Sequence, residues 1–313
     1  MQPYPATSGP DPTLVNKPCR AALLLLNIAL PAALLVSLLM ALLSLAAGEL
    51  LSRPARAVVG AAPADLQAES VRLTGADYPP VSGWLLRGRP SGGAVLLLHG
   101  VRSNRLQMLA RARFLKAAGY SVLLIDLPAH GESAGERISF GLREAYGVRA
   151  ALQHLRSALP GERIGVVAVS LGAASLLFAK AEPVPDAVVL ESMYATIDEA
   201  VSNRMAIRFG TAGRHLAPLL LWQLPWRLNI TAEQLRPIAL LPGLAAPLLI
   251  ASGSEDRQTP IEETRRLFAA AAGPGAKTLW EVPGAAHVDL HAFSAEVYES
   301  RLLAFLGEHL RGR

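Results

Sequence analysis

From residue 57 to the end of the chain, short runs of apolar residues alternate with segments in which apolar residues recur every three or four positions. The short runs are typical of buried strands, and the periodic segments are typical of helices that pack against them. This alternation predicts an α/β domain with a largely parallel sheet and helices on both faces. Eight strands are expected near residues 69–73, 83–86, 94–98, 122–125, 164–168, 187–190, 247–251 and 278–282.

Helical periodicity fills most of the gaps between these runs. The first two strands are expected to form an antiparallel edge, because only a tight turn at Pro79 and Pro80 joins them. The remaining strands are separated by enough chain for a crossover helix. Helices are predicted over residues 106–118, 142–159, 171–180, 262–271 and 295–310.

An insertion between residues 196 and 246 interrupts the alternation, and we expect it to form a small cap on the domain. Its apolar stretch includes residues 216–221, Trp222 and Trp226, and it is too short to cross a bilayer. Three interpretations stay open. The stretch lines an acyl pocket, rests on a membrane surface, or packs on the core.

An uncharged segment rich in leucine and alanine precedes the domain, from residue 21 to residue 47. With a rise of about 1.5 Å per residue, it is long enough to cross a hydrocarbon core of about 30 Å. Residues 21–50 are therefore interpreted as a transmembrane anchor. A small-x-small cleavage site exists at residues 55–57, but the apolar run is nearly twice as long as a signal-peptide core of about 7 to 15 residues. We expect the anchor to be retained.

The residues around this segment indicate its topology. Two basic residues lie on each side, and the free amino terminus together with Glu49 tips the balance toward an N terminus inside. The domain at residues 57–313 is then expected to face outward. Residues 1–20 contain five prolines and predict an extended, disordered tail.

Composition and charge narrow the classes of function. Without the N-terminal segment, about 255 residues remain, which is enough for one domain with a full core. The net charge of +5 suits an anionic membrane or substrate, but the basic residues are scattered and lack interleaved aromatics, so nucleic-acid binding is not expected. The single cysteine, Cys19, excludes an intrachain disulfide and a cysteine zinc cluster.

Ser170 is the first candidate for chemistry, because it ends an apolar run and opens a helical segment. A nucleophile at a sharp strand-to-helix turn needs small residues two positions before and two positions after it, so that the backbones can approach. Ala168 and Gly172 meet this demand, although Ala168 replaces the first glycine of the G-x-S-x-G pattern. The backbone N–H of Leu171 opens the helix, where the helix dipole favours a developing oxyanion.

Three further stretches carry a resemblance to a known family. LLLHG at residues 96–100 lies about 70 residues before Ser170, VLLIDLPAHGES follows at residues 122–133, and SFGLRE occupies residues 139–144. In this order they resemble the α/β-hydrolase superfamily, and the third stretch resembles a bacterial subgroup of serine-aminopeptidase-like and ABHD13-like membrane-anchored hydrolases. The resemblance covers roughly residues 94–306 and implies the α/β-hydrolase fold.

The resemblance also implies roles for residues outside the serine turn. The backbone N–H of Val101 is implied to be a second oxyanion donor beside that of Leu171. His99, His130 and Asp126 are implied to be structural residues that order their loops rather than act on substrate.

In this superfamily the acid and then the base follow the nucleophile along the chain. Of the later histidines, only His287 follows a predicted strand in a short loop of small residues. Asp256 is the matching acid, in the loop after residues 247–251, and Glu191 is its rival after the preceding strand. A metal pair with His291 lacks the glutamate of metalloproteases, so no metal is expected and His291 is interpreted as a rim residue.

Together these residues predict a serine hydrolase that requires no cofactor. His287, oriented by ionised Asp256, is expected to take the proton of Ser170 as the serine attacks a carbonyl, and water then hydrolyses the acyl-enzyme. The expected substrates are small-molecule or lipidic esters and thioesters. Two alternatives stay open: an amidase or peptidase with the same triad, and a catalytically silent, membrane-tethered binding module.

Overall fold

The computed structural model describes Gln2, residues 17–75 and residues 78–311. The chain divides into two compact units, Met1–Gly48 and Glu49–Arg313. Most of the tail predicted at residues 1–20 lies outside the described residues, although its last four residues are helical.

Helix α1, Lys17–Ser52, is the only element of the first unit among the described residues. Its stretch Asn27–Ser52 has a mean hydropathy of 2.5, and only 6% of the most apolar window is buried. By length and composition this helix can cross a membrane, and a signal sequence near the N terminus passes the same test. Pro31 lies inside the helix without ending it.

Eight strands form one sheet in the second unit. In chain order they are β1 (Glu69–Gly75), β2 (Tyr78–Leu86), β3 (Ala94–Leu98), β4 (Ser121–Ile125), β5 (Ile164–Val169), β6 (Ala187–Glu191), β7 (Leu248–Gly253) and β8 (Lys277–Val282). Across the sheet they lie in the order β8-β7-β6-β5-β3-β4-β2-β1. Neighbouring strands from β3 to β8 pair in parallel, whereas β2 pairs antiparallel with both β1 and β4. The predicted eight-stranded, mostly parallel sheet is therefore confirmed.

The expected turn at Pro79 and Pro80 is wrong. Both prolines lie inside β2, beside an irregularity in its pairing with β1 between Leu73 and Gly75. Proline has no N–H to donate to a ladder, so it is tolerated where the pairing is broken. The connection between the two strands falls at residues 76 and 77, which lie outside the described residues.

Helices cover both faces of the sheet because alternate strand residues point to opposite sides. The helices are α2 (Leu109–Ala117), α3 (Glu144–Ala158), α4 (Leu171–Ala179), α5 (Ile197–Phe209), α6 (Ala217–Leu221), α7 (Leu224–Leu228), α8 (Ile261–Ala270), α9 (Leu290–Phe293) and α10 (Ala295–Leu310). In β3, Leu96 and Leu98 belong to a buried cluster with α3, α4 and α8. Val95 and Leu97 belong to a second cluster with α2 and α10.

The insertion between β6 and β7 is helical and contains α5, α6 and α7. Leu224 and Leu228 of α7 are buried in a third apolar cluster with Ile197 of α5. Core packing therefore accounts for one side of α7. It leaves Trp222 and Trp226 exposed, with 53% and 54% of their surface accessible.

Candidate active site

Ser170 occupies a strained turn between β5 and α4. Its φ of 50° and ψ of −107° lie in a region that residues with a side chain rarely adopt. The N–H of Ser170 donates a 2.8 Å hydrogen bond to the carbonyl oxygen of Glu191, at the end of the neighbouring strand β6. The turn is the strand-to-helix elbow expected from the sequence, and it sits at the carboxyl end of the parallel sheet.

Gly172 is required by the close approach of α4 to the end of β3. A Cβ atom at this position would lie 2.8 Å from the carbonyl oxygens of both Leu98 and His99. Ala168 pairs in register with Leu98 and is fully buried, so its additional methyl group fits at the first small position. The departure from G-x-S-x-G is thus tolerated before the serine, whereas the position after it has no room for a side chain.

The loop after β3 runs beside the serine. A Cβ atom on Gly100 would lie 3.8 Å from Cβ of Ser170, and the N–H of Gly100 donates a 2.9 Å hydrogen bond to Oε1 of Gln107. The N–H groups of Val101 and Leu171 have no hydrogen-bond acceptor among the described residues. Gln107 therefore fixes the loop that carries one of the two predicted oxyanion donors.

His99 holds this loop as a neutral ring. Its Nε2 accepts a 2.9 Å hydrogen bond from the N–H of Leu127, so the proton lies on Nδ1 and is donated to the carbonyl oxygen of Gly100 at 2.7 Å. Complete burial and the neighbouring His130 lower the pKa of His99 to about 3. The structure gives His99 the structural role implied by the resemblance.

Asp126 orders the loop after β4. Its carboxylate accepts hydrogen bonds from the N–H of Arg105, the N–H of Glu132 and the guanidinium of Arg105. His130, in the same loop, bonds through Nδ1 to the carbonyl oxygen of Pro128 at 2.9 Å. All of these contacts are within the protein, in agreement with a structural role for both side chains.

Asp256 and His287 meet because β7 and β8 are parallel neighbours and their carboxyl ends share one edge of the sheet. Oδ2 of Asp256 lies 2.7 Å from Nδ1 of His287. The loops themselves are joined by a 2.9 Å hydrogen bond from the N–H of Glu255 to the carbonyl oxygen of Ala285. Asp256 is fully buried, whereas 22% of the His287 side chain remains exposed.

Three further hydrogen bonds hold the carboxylate of Asp256. Oδ1 accepts from the N–H groups of Gln258 and Thr259, and Oδ2 accepts from the hydroxyl of Thr259 at 2.7 Å. Burial by itself raises the pKa of Asp256, but the hydrogen bond and charge of His287 and the bonds from Thr259 outweigh burial and lower the pKa below its usual value. Asp256 is therefore an anion at neutral pH. Thr259 was missed in the sequence, although a threonine three residues after an aspartate is a signal for such a turn.

The structure joins the acid to the base but does not join the base to the serine. Among the described residues, no hydrogen bond links the hydroxyl of Ser170 with His287. Ser170 retains 7% exposure, so its side chain is narrowly accessible. Without a bound substrate, such hydrogen bonds are often long and tighten only in the complex.

Glu191, the rival acid, is engaged elsewhere. Its side chain is 1% exposed, accepts a 2.8 Å bond from Nη2 of Arg111, and accepts a second bond from the hydroxyl of Tyr298. Burial and the charge of Glu191 raise the pKa of Tyr298 well above its usual value, so the phenol stays protonated and donates. The geometry therefore favours Asp256 as the partner of His287.

Arg111 connects the serine turn to the loop of the candidate base. Its Nη1 donates to Oδ2 of Asp289 at 2.9 Å, and Asp289 lies two residues after His287. Oδ1 of Asp289 also caps α9 by accepting from the N–H of His291 at 2.9 Å. Sequence reasoning missed this network, since an arginine within a helix carries no local signal of its partners.

The interpretation of His291 as a rim residue is wrong. Only 9% of the residue is exposed, its ring stacks on Phe114 at 5.5 Å, and its Nε2 lies 2.8 Å from a carboxylate oxygen of Glu299. His291, on the short helix α9, thus packs against the protein through Phe114 and Glu299. In the described part of the chain, no group of three His, Cys, Asp or Glu side chains is placed to hold a metal ion.

Comparisons with known proteins agree with the fold of the second unit. The family model described as the alpha/beta hydrolase family matches residues 95–300. The solved structure of the Pyrococcus furiosus esterase Pf2001 is 26% identical, with a TM-score of 0.67, and the match covers 83% of this chain and 98% of that one.

Two bacterial relatives match by sequence. The uncharacterised protein YqkD of Bacillus subtilis is 24% identical over 230 residues, which is 72% of this chain and 75% of YqkD. The uncharacterised protein YfhR of Salmonella typhimurium is 25% identical over 264 residues, which is 81% of this chain and 85% of YfhR.

The close approach at Gly172 predicts a loss of stability when a methyl group is added. Gly172→Ala forces backbone atoms apart, and we expect the midpoint of thermal unfolding to fall by roughly 2 to 10 °C. Gly243→Ala is the matched control, since a Cβ atom there meets nothing within 4 Å. Equal melting of the two variants in a thermal unfolding scan would contradict the close approach.

The buried ionic network predicts a large difference between two arginines of α2. Arg111→Met leaves the carboxylate of Glu191 buried without its cation, which is expected to cost about 3 to 5 kcal/mol of unfolding free energy. Arg113→Met removes only an exposed pair with Asp65 and is expected to leave stability nearly unchanged. Denaturant unfolding of both purified variants measures the difference, and a stable Arg111→Met protein would show that the network is dispensable.

Proposed function

The chain belongs to the α/β hydrolase family, and we propose that it is a serine hydrolase with Ser170 as nucleophile, His287 as general base and Asp256 as the acid. One observation carries the proposal. The strained serine turn and the 2.7 Å contact between Asp256 and His287 lie at the carboxyl ends of strands in the same parallel sheet. Because a fold alone does not define an activity, the proposal rests on these side chains.

In the first step, Nε2 of His287 takes the proton of the Ser170 hydroxyl while the serine oxygen attacks the substrate carbonyl. The contact at Nδ1 supports this role. Ionised Asp256 holds the proton of His287 on Nδ1, which leaves Nε2 with the lone pair that accepts the serine proton. The same carboxylate stabilises the imidazolium that forms.

The attack places a negative charge on the carbonyl oxygen. We assign the backbone N–H groups of Val101 and Leu171 to this oxyanion, because neither donates to an acceptor among the described residues. Leu171 is the first residue of α4, where the helix dipole also favours a negative charge. The tetrahedral intermediate then collapses, and the imidazolium of His287 protonates the leaving group.

The acyl group remains on Ser170 until water removes it. His287 takes a proton from the water as the hydroxide attacks the acyl carbonyl, and it returns that proton to the Ser170 oxygen when the acid product leaves. The cycle restores the enzyme without a cofactor or a metal. The bond that is cleaved is the one between the acyl carbon and the leaving group.

Carboxylic esters and thioesters are the proposed substrates. The likeness to the Pyrococcus furiosus esterase at 26% identity supports ester chemistry, and an anchored domain supports lipidic acyl groups. The stretch at residues 139–144 supports a place in the serine-aminopeptidase-like and ABHD13-like bacterial subgroup.

We propose further that the N-terminal helix is retained as a single membrane anchor, with the hydrolase domain outside. Cleavage after Ala57 would remove the parallel pairing of residues 55–56 with residues 130–131 and the 2.8 Å bond from the N–H of Ala55 to the carbonyl oxygen of Ala129. These contacts support a chain that stays intact at this point.

A fluorophosphonate probe tests the nucleophile directly. We expect the wild-type protein in membranes to be labelled on Ser170, and Ser170→Ala to abolish labelling because no activated hydroxyl remains. His287→Ala is expected to slow labelling by about a thousandfold or more, and Asp256→Asn by about a hundredfold or more, since the imidazole loses its orientation.

The variant Glu191→Gln tests whether Glu191, rather than Asp256, orients the base. If Glu191 oriented the base, this variant rather than Asp256→Asn would lose labelling. An unlabelled wild-type protein that melts cooperatively would contradict the serine hydrolase and favour a silent binding module.

A matched series of substrates tests the bond class. With one acyl group presented as a thioester, a p-nitrophenyl ester and an anilide, we expect kcat/KM to be lowest for the anilide, because an amine leaving group depends most on protonation by His287. Fastest cleavage of the anilide would instead identify an amidase or peptidase. Ser170→Ala provides the background rate for all three.

A further inference from the structure

The cap presents an apolar surface that the hydrolase domain does not bury. Trp222 and Trp226 are both more than half exposed, and their ring centroids lie 5.5 Å apart. On the other side of the same segment, Leu224 and Leu228 pack into the protein. Exposed apolar side chains that lie side by side are a common feature of interaction sites. We call this surface the Trp222–Trp226 face.

One ion pair relates this face to the end of α1. The carboxylate of Glu49 lies 2.6 Å from Nη1 of Arg227 and 2.7 Å from Nη1 of Arg137. Glu49 follows an uncharged apolar run, and a carboxylate is costly inside a bilayer, so Glu49 marks the level at which the chain leaves the hydrocarbon. Arg227 of the cap must therefore lie at that same level.

Residues just beyond Glu49 are hydrogen-bonded to the hydrolase domain. Successive backbone groups after Glu49 are bonded directly to the domain instead of forming a flexible linker. Nη1 of Arg102 donates to the carbonyl oxygen of Leu50 at 2.9 Å. The N–H of Ile138 donates to the carbonyl oxygen of Ser52 at 2.8 Å, and the N–H of Ala55 donates to the carbonyl oxygen of Ala129 at 2.8 Å.

We propose that the Trp222–Trp226 face docks into the headgroup region of the bilayer that α1 enters. Trp226 is adjacent to Arg227 in the chain, and its ring lies 5.0 Å from the guanidinium carbon of Arg227. Tryptophan and arginine side chains both favour the boundary between lipid and water. This inference rests on the proposed retention of the anchor.

The charge of the cap agrees with a lipid surface. Residues 196–246 contain five arginines against three acidic residues, a balance that complements anionic headgroups. The cap also touches the loop of the candidate acid, because Nδ2 of Asn203 donates to the carbonyl oxygen of Gln258 at 3.3 Å. Docking thus brings the acid side of the candidate site next to the membrane, where lipidic acyl substrates reside.

Tryptophan quenching by brominated lipids tests the docking, because the chain has four tryptophans and the other two, Trp84 and Trp280, are buried. Full-length protein is reconstituted into phosphatidylcholine and phosphatidylglycerol vesicles whose acyl chains carry bromine near the headgroup. We expect the wild type to lose up to about half of its emission, since two of its four tryptophans lie at the quencher. Bromine near the chain ends is expected to quench less.

The double variant Trp222→Phe/Trp226→Phe is the matched control, since phenylalanine keeps an apolar ring but is silent at the emission wavelength of tryptophan. It is expected to lose almost no emission. Equal quenching of variant and wild type, or an unquenched wild type, overturns the docking.

Two readouts on the same vesicles separate the possible failures. Extraction by alkaline carbonate would show that the anchor itself is absent, which overturns the docking together with the anchor. A protein that resists extraction, labels with the fluorophosphonate and stays unquenched would overturn the docking alone and leave the proposed hydrolase intact.

Discussion

The geometry of the candidate site depends on the contact between α4 and the end of β3. At Gly172 the two backbones are so close that no side-chain atom fits between them. This approach fixes the first turn of α4 and, with the bond from the N–H of Ser170 to the carbonyl oxygen of Glu191, holds the serine in a conformation it would not adopt alone. It also brings the Gly100 loop alongside, so one contact sets the positions of the serine and of both oxyanion candidates.

Two carboxylates lie at neighbouring strand ends, and their surroundings give them different roles. Glu191 is ion-paired with Arg111, accepts a hydrogen bond from Tyr298 and is buried in the protein. Asp256 is ionised, and its Oδ2 lies beside Nδ1 of His287. The buried network of Arg111 is structural, yet it touches the elbow on one side and the loop of the base on the other. Stability and site geometry therefore depend on the same arginine.

Glu49, in the last turn of α1, and the residues after it are bound to other parts of the second unit. Glu49 pairs with Arg137 and Arg227, and a short parallel pairing of residues 55–56 with residues 130–131 follows. The cap contributes Arg227 to the first of these contacts, and its Asn203 donates a hydrogen bond to the carbonyl oxygen of Gln258 in the acid loop. The apolar segment of the cap has two sides. Leu224 and Leu228 pack on Ile197 and its neighbours, whereas Trp222 and Trp226 are exposed.

The sequence by itself determined the eight strands, the elbow at Ser170 and the candidates His287 and Asp256. These features depend on local patterns: apolar runs define buried strands, and small residues permit a sharp turn. The errors were also local. Proline was interpreted as a turn at residues 79–80, where a break in strand pairing accommodates it, and His291 was placed on a rim although it packs against Phe114.

Only the tertiary structure decided which carboxylate meets the base. Glu191 and Asp256 both follow parallel strands, but β7 alone is the neighbour of β8, so only the loop after β7 reaches His287. The two carboxylate partners of Arg111 lie 80 and 178 residues away along the chain, and the pairing of Glu49 with Arg227 likewise spans 178 residues. Such contacts leave no periodic signal, because they arise from the order of strands in the sheet rather than from any one segment.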